Sequence, residues 1–141
     1  MNFQALAVAQ GNHFEEHCRF VLEAMGYTCS PKLRLPEMGV EVDIPLSGPH
    51  GDFLVECKGS WQGSRPGLLR SDTVKKAIAN GALLQASRLL RGQTYPPYVV
   101  LTSHLPEAGA GAAMLDVALT DGMVMAALAI HDGVGIKRLF G

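Results

Sequence analysis

The chain has 141 residues, 48% of them hydrophobic and 18% charged, with a formal net charge of −1 and an isoelectric point near 6.5. That balance excludes a disordered chain and a bulk attraction to polyanions, and the length suffices to bury about two-thirds of the unfolded surface in one domain over residues 1–141. Cys18, Cys29 and Cys57 are an odd number of cysteines without metal-ligand spacing, and no secretory or membrane-spanning run is evident, so a soluble cytoplasmic protein is expected.

Phe14, Cys18, Val21, Leu22 and Met25 recur at helical spacing and predict a helix over 11–25, capped by Asn12 and stopped at Gly26. A strand over about 27–34 follows, then a hairpin with strands at 39–46 and 52–58 and its turn at Pro49-His50. A Gly/Pro/Ser-rich loop spans 59–67. Ser71 or Asp72 caps a long helix over 72–91, which ends at Gly92 and the Pro96-Pro97 pair. A short buried strand at 98–102, a small-residue helix at 109–121 and a last strand at 123–130 complete the order α-β-β-β-α-β-α-β. Such an order predicts an α/β protein with a central mixed sheet between two helical layers.

The hairpin carries the chemistry. Alternation places Val40, Val42, Ile44 and Leu46 on one face with Phe53, Val55 and Cys57. The other face then holds Glu41 and Asp43 on one strand, Glu56 and Lys58 on its partner. The turn sets Asp43 across from Glu56 and Glu41 across from Lys58. Two facing carboxylates repel unless a cation lies between them, either a divalent metal ion or an ammonium group. A half-exposed hairpin with a polar outer face is the plain alternative. Helices on both sides weigh against it, because covered carboxylates need partners.

In the first helix, Glu15 lies roughly 80° from the centre of the apolar stripe, at its rim, whereas Glu16 points away. His13 to His17 fits an H-x-x-E-H zinc pattern, but it needs a third ligand from a neighbouring helix, the later helices offer few acids, and the zinc reading is set aside. Between residues 59 and 91, Arg65, Arg70, Lys75, Lys76, Arg88 and Arg91 face a single acid, Asp72. Trp61, Gln62, Arg65 and Arg70 are placed to reach a nucleic-acid backbone or stack on a base. Lys75 and Lys76 fall in a first helical turn, where an anionic ligand would relieve the helix dipole. The alternatives are a core-packed Trp61 and a solvated basic helix face. Gln85 is a further candidate to point toward the site, and Ser103-His104 with His131-Asp132 lack any nucleophile elbow.

Gly11, Phe14 and Glu15, the Gly26-Tyr27 helix exit, Val42-Asp43-Ile44, Val55-Glu56-Cys57-Lys58 and the strand YVVLTS together resemble the PD-(D/E)XK nuclease superfamily. The similarity is to its Mrr-type and Holliday-junction-resolvase-like branches, with Val42 where a proline would precede the aspartate. This resemblance implies a restriction-endonuclease-like three-layer fold and a Mg²⁺-dependent endodeoxyribonuclease, with Mn²⁺ able to substitute. Asp43, Glu56 and the main-chain carbonyl of Cys57 would hold the metal, Lys58 would be the catalytic lysine and Glu15 an auxiliary acid. DNA would be the partner, contacted by Trp61, Arg65, Arg70, Lys75 and Lys76. A homodimer would cut both strands, and a small domain without a sequence-reading module would be structure-selective or weakly specific, or would rely on a targeting protein. An inactive nuclease-fold nucleic-acid-binding or interaction protein, and an RNA-cleaving toxin-type relative, are the alternatives.

Overall fold

The computed structural model describes residues 3–141, with side chains described from Asn12 onward. Helix α1 (Phe3–Ala24) starts well before the expected position, so Asn12 lies inside it rather than capping it. The reason is upstream: FQALAVAQ is rich in strong helix formers, which carry the helix through Gly11 and Asn12. The helix stops where expected. Gly26 takes φ +93°, and the Tyr27 N–H returns to the Leu22 carbonyl.

Five strands then precede the next helix: β1 (Thr28–Cys29), β2 (Leu33–Leu35), β3 (Val40–Val42), β4 (Ile44–Gly48) and β5 (Gly51–Lys58). A 3₁₀ turn (Gly67–Leu69), α2 (Ser71–Arg91), β6 (Tyr98–Thr102), α3 (Gly109–Thr120), β7 (Ala126–Ala129) and α4 (Gly133–Phe140) complete the chain. The central sheet is five-stranded and mixed, in the order β1-β4-β5-β6-β7, while β2 and β3 form a separate two-stranded ribbon. Strands β4 and β5 pair antiparallel, and β5, β6 and β7 run parallel. Helices cover both faces. Phe14, Cys18 and Leu22 of α1 and Ile136 and Phe140 of α4 pack with Ile44, Leu46, Phe53 and Val55. Val74, Ala77 and Leu84 of α2 and Leu115 and Ala118 of α3 pack with Val40, Val42, Leu54 and Val100 on the opposite side.

The expected order therefore needs three corrections. Both the 27–34 and the 39–46 strands break in two, and α4 was not expected, its two glycines masking a short helix that Asp132 caps through the Gly135 N–H. The break in the hairpin strand also overturns the single apolar face expected for Val40, Val42, Ile44 and Leu46. Val40 and Val42 turn to the α2 layer and Ile44 and Leu46 to the α1 layer, because the chain bends at Asp43. Glu41 consequently pairs with Arg34 in the ribbon and does not face Lys58. Finally, neither Ser71 nor Asp72 caps α2, whose N-cap is Arg70 without a side-chain bond. Lys75 and Lys76 thus sit in the second turn rather than the first, and Asp72 in the first turn already complements the dipole. Among the described residues, no helix is long and apolar enough to cross a membrane.

Candidate functional site

The turn at Pro49-His50 fixes the hairpin register through Gly48↔Gly51 to Ile44↔Val55, which brings Asp43 level with Glu56. Asp43 lies in the break between β3 and β4, and side chains take over the missing rung. The Cys57 N–H donates to Asp43 Oδ2 at 2.8 Å, and the Asp43 N–H donates to Glu56 Oε1 at 3.3 Å. From α2, Asn80 donates to Glu56 Oε2 at 2.8 Å and to the Glu41 carbonyl at 2.9 Å. From α1, Arg19 pairs with Glu15 Oε2 at 3.2 Å, and its Nη2 and Nη1 reach the carbonyls of Asp43 (2.8 Å) and Ser30 (3.0 Å). Lys32 Nζ lies 3.4 Å from Asp43 Oδ1.

The burial of Glu56, only 4% exposed, decides its protonation. Burial, the hydrogen bond to Asp43 and the Asp43 charge push its carboxyl up to about 9, against a smaller downward pull from Lys58. Asp43 goes the other way. Burial pushes it up, but the hydrogen bond from Glu56, the Cys57 N–H and Lys32 outweigh that and hold it below its usual value. The two carboxyls therefore titrate as a pair, with the neutral form favoured at Glu56 and the ionised form at Asp43. Burial and the neighbouring Asp43 also raise Glu15, in spite of Arg19.

Three of the expected site residues thus meet: Glu15, Asp43 and Glu56. Glu16 is exposed, as the helical-wheel argument required. Lys58 is half-buried on the same strand face as Glu56 and two residues beyond it. The Cys57 thiol turns to the α1 layer, where its hydrogen bond to Cys18 and its burial push it well above the usual thiol range. The Leu54 N–H bonds toward β6, so by ladder alternation the Cys57 N–H and carbonyl face the Asp43 side.

The flanking residues behave differently. Arg65, Arg70, Lys75 and Lys76 are exposed, and among the described residues none of them, nor Lys58, forms an ion pair. Trp61 is half-exposed, with its ring edge-to-face against Phe14 and His17. Arg88 and Arg91 belong to the last turn of α2, at the other end of that helix. Gln85 is not a site residue, since it donates to the Asp121 carbonyl beside α3. Ser103 is buried, accepts from the Ser60 N–H and contacts His104, which makes it a loop anchor rather than a nucleophile.

Arg19, Lys32 and Asn80 escaped the sequence reading. Arg19 was signalled by its i,i+4 spacing from Glu15, and Asn80 by a polar residue on the Ala77–Leu84 buried stripe of α2. Lys32 lies in a loop and carried no signal.

Whether a metal ion fits can be judged from the donors. Among the described residues, no group of three or more His, Cys, Asp or Glu side chains is arranged to hold an ion. An ion here would rest on the carboxylates of Asp43 and Glu56, the Cys57 carbonyl and water. That all-oxygen, water-completed set suits Mg²⁺ or Mn²⁺ rather than zinc. No protein-family model, curated protein or solved structure matches the chain.

Proposed function

We propose that the chain is a metal-dependent nuclease that hydrolyses DNA phosphodiester bonds, on a restriction-endonuclease-like three-layer fold. One observation carries the reading: two carboxyls, Asp43 and Glu56, converge where β4 begins, with Lys58 following on the same face of β5. Carboxyls that close, one buried and one half-buried, cost stability unless a charge partner is part of their role. Held by these oxygens, Mg²⁺ would lower the pKa of an attacking water and neutralise charge building on the scissile phosphate.

The chain's own residues do the rest. Lys58 positions the attacking water or stabilises the charge developing on the phosphoryl oxygens. Arg19 fixes the Asp43 backbone and orients Glu15 beside it, and Asn80 fixes the Glu56 carboxyl. Arg65, Arg70, Lys75 and Lys76, exposed and without ion pairs among the described residues, supply phosphate contacts on the flank. One site per chain cuts one strand, so scission of a duplex calls for two copies. In this reading the protein acts in the cytoplasm and either selects its target by DNA structure or is directed to it by a partner protein.

A second reading draws on Lys32 and Arg19. Both already place positive charge at Asp43, as a purely structural cluster in a non-catalytic interaction protein would. Plasmid nicking with Mg²⁺ or Mn²⁺, set against EDTA, separates the two, with branched DNA and RNA as parallel substrates. Metal-dependent nicking that disappears in Asp43→Asn and Lys58→Ala supports the nuclease. Nicking that survives both substitutions, or no cleavage of any substrate by a folded protein, refutes it.

A further inference from the structure

The loop after Lys58 is clipped at both ends to the C-terminal end of β6. The Ser60 N–H donates to Ser103 Oγ at 3.1 Å, and the Leu68 N–H donates to the His104 carbonyl (3.0 Å) and to Thr102 Oγ1 (3.3 Å). Gly67, at φ +62°, is packed so closely under the two hydroxyls that a Cβ would lie 2.6 Å from Thr102 Oγ1. Between the clips stands a short arch whose exposed residues are 61–65, beginning at Trp61 and ending at Arg65.

Trp61 does not hang freely from this arch. Its ring is 5.3 Å from Phe14 and 5.7 Å from His17, both edge-to-face, so neither ring stacks flat on the indole. Gly59 permits the approach, since a Cβ there would lie 2.6 Å from the Phe14 ring. Yet Trp61 remains 50% exposed. It is a large aromatic surface, ordered by its neighbours at little further entropic cost and open to solvent.

Its location is equally specific. Phe14 adjoins Glu15, and Trp61 follows Lys58 by three residues, within roughly 11 Å of chain. That is at most about three nucleotide steps at the ~3.4 Å rise of stacked bases, so the platform lies close to the site. A base inside an intact duplex offers no open face to such a platform, whereas an unpaired base does.

We infer that Trp61, braced by Phe14 and His17, is a stacking platform for an unpaired base, and that the substrate is DNA with a single-stranded segment beside the scissile phosphate. The inference rests on the nuclease reading, narrowing its substrate class. Arg65, at the other end of the arch, would take the backbone of the same strand.

Trp61 is the only tryptophan in the chain, so its fluorescence reports this position alone. We expect a short oligothymidylate, added in EDTA, to quench that fluorescence while a blunt duplex of equal length leaves it nearly unchanged. Labelled-oligonucleotide anisotropy, run in parallel, registers binding independently of the indole. Trp61→Ala should lower single-strand affinity about 5- to 150-fold, the equivalent of one lost base stack, and Trp61→Phe should recover most of it. The ratio of single-strand to duplex affinity should fall with it. Single-strand binding seen by anisotropy without any fluorescence change, or equal quenching by both DNAs, overturns the platform while leaving the nuclease intact. No DNA binding and no cleavage would overturn the nuclease reading itself. Because the quenching is measured on the unmodified protein, a folding defect in Trp61→Ala does not blunt the test.

Discussion

Replacing Glu56 with glutamine should make the metal-free protein more stable, by an amount that grows with pH. The wild-type carboxyl sits near 9 in the folded chain against an ordinary value of 4.5. Its folded value is therefore raised, so the native state holds a proton that the unfolded chain has released. Stability is full below about pH 4.5 and declines as pH climbs toward 9, by about tenfold in the folding constant per pH unit. Between pH 6 and pH 8 the loss is roughly 3 kcal/mol. Glu15, also raised, acts in the same direction from its ordinary 4.5 upward, whereas the lowered Asp43 acts only below its ordinary 3.8, outside this window. Glutamine keeps an acceptor for Asn80 and a donor toward the Asp43 carboxylate, gives up only the long 3.3 Å bond from the Asp43 N–H, and has no proton to lose. Urea unfolding in EDTA across pH 6 to 8 should show a steep decline for the wild type and a much flatter profile for Glu56→Gln. A flat wild-type profile, or an equal slope in the variant, would refute the argument that Asp43 and Glu56 share one proton.

The same proton makes metal binding measurable. Calorimetric titration with Mg²⁺ in buffers of different ionisation enthalpy should show about one proton released per ion near pH 7, and none from Glu56→Gln. Lys58→Ala should slow nicking by about 10²- to 10³-fold while the Mg²⁺-induced rise in melting temperature persists, because the lysine acts on the reacting groups and not on the ion. Asn80→Ala removes the donor from both Glu56 Oε2 and the Glu41 carbonyl, and denaturant unfolding should register a loss of about 1–3 kcal/mol.

The hairpin was the most legible part of the chain. Glycines at both ends of a two-residue turn fix its register, and counting outward from Pro49-His50 brings Asp43 level with Glu56, as the structure has it. Helices α2 and α3 and strand β6 were legible for a similar reason, each being bounded by glycine or proline. What alternation concealed was the bend at Asp43. A period-2 pattern of Val40, Val42, Ile44 and Leu46 reads as one strand, yet it continues on the opposite face after the bend. The cause is a side chain doing a backbone's work: Asp43 Oδ2 accepts the Cys57 N–H that a continuing strand would have taken. Lys32 reaches the site from a loop of no regular period, and no pattern rule points to such a residue.

That bend is what lets the site exist. Glu15 comes from the helix covering one face of the sheet, and Glu56 projects from the other face toward Asn80 of α2. In an unbroken sheet the two would be separated by the backbone itself. Had β3 run straight into β4, Asp43 would have projected with Glu56 into the α2 layer, where Val42, Leu54 and Val100 now pack. The bend gives that apolar position to Val42 and moves Asp43 to the seam, where it meets both other acids. The charges at the seam are then unevenly matched. Glu15 faces Arg19 and Asp43 faces Lys32, whereas the hydrogen-bond donors to Glu56 are neutral, the Asn80 amide and the Asp43 N–H. Glu56 is accordingly the acid that holds a proton, and a cation arriving at the seam gains most by displacing it.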